Sequence, residues 1–147
     1  MRFGSIEELV GLVEVGGAPV WALVTCIDGM RSYGRAGAVW NDMAASLAVM
    51  REAVKQGLAN REKSFSGLVG GDARRLAERA GGRCLAGSPA VKAAAYAMAV
   101  SEINAAMGKV VACPTAGSCG IMPGAMLAAA ESGGYDDDRL VRGLFTA

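Results

Sequence analysis

Apolar residues recur along most of this chain at the three- and four-residue spacing of α-helices. In residues 35–58 one helical face is formed by Val39, Met43, Leu47, Met50, Val54 and Leu58. This spacing predicts a long amphipathic helix whose methionines fill the core. Shorter helices are predicted after the capping pair of Ser5 and Glu8, over residues 19–26, and after Asp72 as an N-cap.

The second half of the chain continues the helical pattern with fewer polar positions. Ser88 predicts an N-cap, Pro89 the first helical residue, and Gly108 the C-cap of one helix. Its residues 93–100 are apolar almost all round, which is typical of a buried helix. Further helices are predicted over residues 121–130 and near the end of the chain.

The sequence therefore predicts an all-α fold, a single helical domain over residues 1–147 with glycine-rich loops. Residues 60–71 are polar and rich in glycine, which predicts a loop. Residues 109–114 predict a short strand or an extended segment that leads into a second turn-rich loop. The apolar face of the last predicted helix begins only shortly before the chain ends at Ala147, so we expect the domain to be truncated at its C-terminus.

Composition narrows the possible functions. The chain has 147 residues, a net charge of +1 and no histidine. Near-neutral charge argues against nucleic acid as a partner, and the lack of histidine excludes Ser-His and Cys-His dyads within this chain. The longest apolar stretches are too short to cross a bilayer, so no membrane partner is expected. Without a secretory signal we expect a cytoplasmic protein with reduced cysteines.

The best candidate site lies in residues 112–124, where Thr115, Ser118 and Cys119 stand among glycines. A glycine-rich turn that feeds a helix exposes backbone N–H groups at the positive end of the helix dipole. Such a turn binds an anion such as a carboxylate and lowers the pKa of a cysteine, so Cys119 is expected to tend toward thiolate. The alternative is a helix start with a small buried cysteine, and spacing alone favours this alternative.

Two polar residues late in the buried helix, Glu102 and Asn104, also need explanation. An unpaired buried carboxylate is costly, so Glu102 is either a functional acid or base or has a structural partner. Lys92 and Lys109 are the candidate partners, and the structural interpretation is preferred.

Two stretches carry a resemblance to a known family. Residues 101–125 contain Glu-Ile-Asn-Ala-Ala followed by Pro-Thr-Ala-Gly-Ser-Cys-Gly, and residues 66–72 read Ser-Gly-Leu-Val-Gly-Gly-Asp. Both resemble the alpha chain of iron–sulfur-dependent L-serine dehydratase. The resemblance covers nearly all of this sequence but only about the first half of the family's alpha region.

The resemblance implies an enzyme that converts L-serine to pyruvate and ammonia. It implies a 4Fe-4S cluster in place of pyridoxal phosphate, held by three cysteines, whose open iron binds the serine hydroxyl as a Lewis acid. The alpha region of the family is all-helical, and members with separate chains need a beta chain for an active oligomer.

The same resemblance assigns site residues. Cys119 matches a cluster-ligand position, while Cys113 stands where relatives have a small residue and is assigned to packing. The remaining cluster ligands are expected beyond residue 147, so this chain alone should not hold a cluster stably. The residues implied for substrate binding are Thr115, Gly117, Ser118, Asn104, Ser66 and Gly67.

Two other functions stay open. The chain could be a truncated, non-catalytic helical fragment that only associates with its missing half or with the beta chain. It could also be a pyridoxal phosphate enzyme with Lys92 or Lys109 as the aldimine residue, although neither lysine lies in a recognisable context. The base that removes the alpha proton is not identified by the sequence.

Overall fold

A computed structural model describes residues 3–32, 36–82 and 84–147 of the chain. Within these residues the secondary structure is helical and includes no strand, which confirms the predicted all-α fold. The α-helices are α1 (Ile6–Gly16), α2 (Val20–Arg31), α3 (Ala36–Ala59), α4 (Asp72–Arg79), α5 (Ser88–Ala105), α6 (Ile121–Gly133) and α7 (Asp137–Thr146). A short 3-10 turn covers Ala116–Ser118.

The described residues form two compact units, one of Met1–Ala45 with Asp137–Ala147 and one of Ser46–Asp136. The assignment of residues 1–147 to one domain stays a prediction. No single helix in the described part of the chain is long and apolar enough to span a membrane; α1 and α2 satisfy the length and composition criteria only as a pair, and they meet at a bend of 106°.

Large aromatic rings pack the first unit. The ring centroids of Trp21 and Trp40 lie 6.1 Å apart in an edge-to-face arrangement, and Trp40 stacks on Phe145 at 5.8 Å. The guanidinium carbon of Arg142 lies 4.7 Å from the centroid of the Trp21 ring. The predicted apolar face of the last helix is confirmed, because Leu140, Val141, Leu144 and Phe145 are all buried.

The first two helices begin and end for identifiable reasons. The Ser5 hydroxyl accepts a hydrogen bond from the Glu8 N–H at 3.2 Å, and the Glu8 carboxylate accepts one from the Gly4 N–H at 2.6 Å. The start of α1 is therefore correctly predicted. The predicted end of α2 near Cys26 is wrong. The helix continues to Arg31, and Ile27 is buried within the added turn, where packing outweighs the weak local signal.

The long helix α3 matches its prediction closely. It spans Ala36–Ala59 against the predicted residues 35–58, and Arg35 lies outside the described residues. Leu47, Met50 and Val54 on the predicted face are buried. Residues 60–71 follow as the predicted loop, and residues 108–112 have no regular secondary structure, so the strand considered for residues 109–114 does not form.

Helix α5 is the centre of the second unit, because α4 and α6 both pack against it. Small residues allow the close approach. A Cβ atom at Gly57 would lie 2.2 Å from the Ala99 carbonyl oxygen, and one at Gly124 would lie 2.6 Å from the Ala93 carbonyl oxygen. The richness in glycine and alanine therefore lets helix backbones approach one another directly.

Three predictions about α5 are wrong in detail. Ser88 is the first helical residue and Gly87 is the N-cap, so Pro89 occupies the second helical position. Burial is not all-round, because Met98 is 38% exposed. At the C-terminal end the left-handed residue is Met107, with φ of 61°, and not Gly108.

Gly108 serves the end of α5 in another way. Its N–H donates to the Ile103 carbonyl at 2.8 Å, and the Met107 N–H donates to the Asn104 carbonyl at 3.0 Å. Together these bonds form a Schellman motif. A Cβ atom on Gly108 would lie 2.5 Å from the Ile103 side chain, so close contact explains the glycine at this position.

A polar cluster joins α5 to α6. Glu131 accepts hydrogen bonds from the Lys92 ammonium at 3.0 Å and from the Tyr96 hydroxyl at 2.8 Å. Burial and the bond to Glu131 raise the pKa of Tyr96 to about 12. Burial alone would raise the pKa of Glu131, but the bonds from Lys92 and Tyr96, together with the positive charges of Lys92 and Arg51, lower it.

Candidate functional site

Residues 113–120, called the Thr115 loop here, are closed by their own side chains. The Thr115 hydroxyl accepts a hydrogen bond from the Ser118 N–H at 3.2 Å, and the Thr115 N–H donates to the Ser118 hydroxyl oxygen at 3.3 Å. These reciprocal bonds form a capping box around the 3-10 turn. The Ser118 hydroxyl also donates to the Cys113 carbonyl at 2.9 Å, which fixes the start of the loop.

Asn104 ties the Thr115 loop to the end of α5. Its side-chain amide donates to the Ala116 carbonyl at 3.1 Å. Four of the predicted substrate-binding residues are thus brought together, namely Asn104, Thr115, Gly117 and Ser118. Thr115 and Gly117 are exposed and Ser118 is half-buried, so the polar edge of the loop faces solvent.

The next helix begins directly after this loop. Gly120 is the N-cap of α6, and among the described residues no side chain caps the first turn of that helix. A Cβ atom at Gly120 would lie 2.2 Å from the Ala97 carbonyl oxygen, so the loop ends against the backbone of α5. The start of α6 is the positive end of its dipole, where the N–H groups of Ile121 and Met122 favour an anionic ligand; Pro123, the third helical residue, has no N–H.

Cys119 is buried between these features, with 1% of its surface exposed. Burial raises the pKa of its thiol, the Cys113 thiol raises it further, and a backbone hydrogen bond opposes the shift without cancelling it. The expectation of a thiolate is therefore wrong for this structure, because a charged sulfur would lose its hydration. The structure agrees with the alternative, which is a small buried cysteine at a helix start.

A metal site needs more ligands than Cys119. Across residues 3–32, 36–82 and 84–147, no group of three or more His, Cys, Asp or Glu side chains is placed to hold a metal ion. Cys26 and Cys84 are exposed and Cys113 is half-buried. These residues do not by themselves fit a 4Fe-4S cluster. The role of Cys119 as a cluster ligand stays a prediction.

The other two predicted substrate residues, Ser66 and Gly67, lie in residues 60–71, called the Ser66 loop here. The Ser64 N–H donates to the Val69 carbonyl at 2.7 Å, and the Gly67 N–H donates to the Ser64 carbonyl at 2.8 Å. Ser66 lies within hydrogen-bond distance of Ser64, with their hydroxyl oxygens 3.1 Å apart. Ser66 and Gly67 are exposed, and Gly67 has φ of 72°, which favours glycine.

Glu102 connects the end of the Ser66 loop to α5. The residue is 3% exposed, and its carboxylate accepts hydrogen bonds from the N–H groups of Gly71 at 2.9 Å, Asp72 at 2.8 Å and Ala73 at 2.9 Å. The preference for a structural partner is confirmed, but the predicted lysine partners are wrong. Lys92 binds Glu131, and the partner of Glu102 is the start of α4.

This contact also corrects the predicted start of α4. Asp72 is the first helical residue and not the N-cap, and Gly71, in the left-handed conformation, takes the cap position without a side-chain bond. Two signals in the sequence point to Glu102 in retrospect. One is a carboxylate in an otherwise apolar helix, and the other is a helix start that has only glycine before it.

The comparison with protein families identifies the relationship. The family model described as serine dehydratase alpha chain matches residues 16–147, which include both loops. This chain belongs to the serine dehydratase alpha chain family. The resemblance inferred from residues 101–125 and 66–72 is therefore confirmed.

Two curated relatives are similar to this chain over much of its length. The probable L-serine dehydratase, alpha chain, of Bacillus subtilis (strain 168) is 41% identical over 110 residues, which are 74% of this chain and 36% of the relative. The L-serine dehydratase, alpha chain, of Peptoniphilus asaccharolyticus is 31% identical over 144 residues, 97% of this chain and 49% of the relative. The chain thus spans half or less of these relatives. No solved structure matches it.

Proposed function

We propose that this chain forms part of an L-serine dehydratase, which converts L-serine to pyruvate and ammonia. The observation that carries this proposal is the family match over residues 16–147, which contains the Thr115 loop. The reaction removes the alpha proton and the beta hydroxyl of serine as water. The resulting enamine tautomerises to an imine, and addition of water to the imine releases ammonia and leaves pyruvate.

The Thr115 loop is the proposed site for the substrate carboxylate. The uncapped start of α6 supplies backbone N–H groups, and the exposed Thr115 and Gly117 form the rim beside them. Ser118 and Asn104 hold the loop in shape through their bonds to Cys113 and Ala116. Ser66 and Gly67 are proposed as the second substrate-binding segment.

We also propose Cys119 as one ligand of the 4Fe-4S cluster, with its other ligands supplied by parts of the enzyme outside these 147 residues. Its position beside the proposed carboxylate site supports this role. Because burial raises the pKa of this thiol, binding a cluster would have to displace its proton. The relatives are named alpha chains, which supports a beta chain as partner. Oligomer formation, a cytoplasmic location and the lack of nucleic acid or membrane partners stay predictions.

The test uses the full-length alpha chain assembled with its beta chain without oxygen. We expect pyruvate release from L-serine and a broad visible absorption from the cluster. Cys119→Ser should remove the absorption, the bound iron and sulfide, and the pyruvate release, because it replaces a thiolate ligand by a hydroxyl.

Cys84→Ser is the matched control, since Cys84 is exposed and has no proposed role, and it should keep all three properties. Full iron and sulfide content in Cys119→Ser would refute the ligand assignment. A wild-type assembly that releases no pyruvate would refute the dehydratase proposal itself.

A further inference from the structure

The buried carboxylate of Glu102 binds the backbone at the start of α4. The N-cap residue, Gly71, has no side chain that could accept a hydrogen bond from the N–H groups of Gly71, Asp72 and Ala73. All three donate to Glu102 at 2.8–2.9 Å, across 29 to 31 residues of sequence. A carboxylate at a helix N-terminus also interacts favourably with the helix dipole.

Asn104 makes a matching contact on the other side of the same helix. Residues two positions apart on an α-helix point about 200° away from each other. Glu102 faces α4, and Asn104 reaches Ala116 in the Thr115 loop. The last turn of α5 is therefore hydrogen-bonded to both segments that are proposed to bind the substrate.

We infer that Glu102 is a positioning residue that fixes the Ser66 loop relative to α5, and hence relative to the Thr115 loop. Glu102 acts through the backbone of residues 71–73 and does not touch the substrate. Glu102 is buried and both of its carboxylate oxygens accept N–H bonds from the start of α4, which favours a positioning role over that of the base that removes the alpha proton. The consequence for serine binding rests on the proposed function, but the fixing of the loop does not.

The first measurement is amide hydrogen exchange, resolved by residue, in the full 147-residue chain. Glu102→Gln keeps one oxygen that accepts from Asp72 and Ala73, but it places an NH2 group opposite the Gly71 N–H. We expect exchange at Gly71 to rise about tenfold or more, with smaller changes at residues 72 and 73. Glu102→Ala should accelerate all three amides and the Ser64 amide inside the loop.

Glu131→Gln is the matched control, because Glu131 also accepts bonds from two donors in the second unit, and these donors, Lys92 and Tyr96, lie outside both loops. It should leave exchange at Gly71 and Ser64 unchanged. The inference is wrong if Glu102→Gln exchanges like the wild type at Gly71, or if Glu131→Gln accelerates Gly71 equally. The Gln variant decides the matter if Glu102→Ala does not fold.

The second measurement is the serine dependence of pyruvate release by the assembled enzyme. We expect Glu102→Gln to raise KM for L-serine about tenfold while kcat changes by less than about twofold, because a binding loop is displaced. Glu131→Gln should leave KM unchanged, and an equal rise in KM would show general destabilisation and overturn the link to substrate binding. If the wild-type enzyme does not act on serine, the proposed function fails, and hydrogen exchange still decides whether Glu102 positions the loop.

Discussion

The Thr115 loop and the Ser66 loop reach their structures by different means. In the Thr115 loop the capping bonds join Thr115 and Ser118, three residues apart. The Ser66 loop has bonds of its own around Ser64, but its last residue, Gly71, is held by Glu102 from a different helix. One loop is closed mainly by local bonds, and the other depends at its end on a distant carboxylate.

This difference indicates which loop is easier to displace. Phe65 and Leu68 in the Ser66 loop are almost fully exposed, so no apolar packing of these side chains anchors the loop within the described residues. The Thr115 loop ends at Gly120, which lies against the α5 backbone. A loop fixed by few bonds opens at low free energy. We therefore expect most mutations to displace the Ser66 loop more readily than the Thr115 loop. The exception is a mutation that blocks the contact of Gly120 with α5.

The largest expected effect concerns that contact. In Gly120→Ala the new methyl group would lie 2.2 Å from the Ala97 carbonyl oxygen, and a backbone carbonyl has little freedom to move aside. We expect a loss of about 3 kcal/mol or more in the free energy of unfolding, measured by urea denaturation.

Gly117→Ala is the control within the same loop, because its methyl group would lie 3.8 Å from the nearest atom, the Thr115 hydroxyl oxygen. It should change the free energy of unfolding by less than about 0.5 kcal/mol. Equal effects of the two variants would mean that the Thr115 loop is not seated on α5 as described.

A smaller effect is expected inside the Ser66 loop. Gly70 has φ of 143°, and a methyl group there would lie 2.4 Å from the Glu62 carbonyl oxygen. We expect Gly70→Ala to lower the free energy of unfolding by about 2 kcal/mol, because the exposed loop relieves part of the clash by moving. Gly81→Ala, at a position with open space and without the left-handed conformation, should be nearly neutral in the same denaturation experiment.

The smallest effect tests local closure. Thr115→Val keeps the shape of the side chain but removes the oxygen that accepts from the Ser118 N–H. We expect a loss of about 1 kcal/mol of stability, as for other helix caps, together with a raised KM for L-serine in the assembled enzyme. Thr146→Val is the control. It removes a hydroxyl that donates to the Arg142 carbonyl of its own helix, so KM should stay unchanged.

Much of the fold and part of the site could be predicted from the sequence. Local signals correctly gave the start of α1 at Ser5, the apolar face of α3 and both loops, because neighbouring residues determine these features. The wrong predictions concern the end of α2, the caps of α4 and α5, and the ionisation of Cys119. The end of α2, the start of α4 and the ionisation of Cys119 depend on residues that are distant in sequence, whereas the caps of α5 differ from the prediction by a residue or two within local structure.

By itself, the sequence determined the helical fold, the family and the polar character of the Thr115 loop, since periodic spacing and short motifs encode these properties. Only the tertiary structure decided that Glu102 holds the start of α4 and that the Cys119 thiol is buried, which raises its pKa. The reason is physical: a carboxylate or a thiol has its chemistry set by the donors and the solvent around it. Those surroundings are assembled only when α4, α5 and α6 pack together.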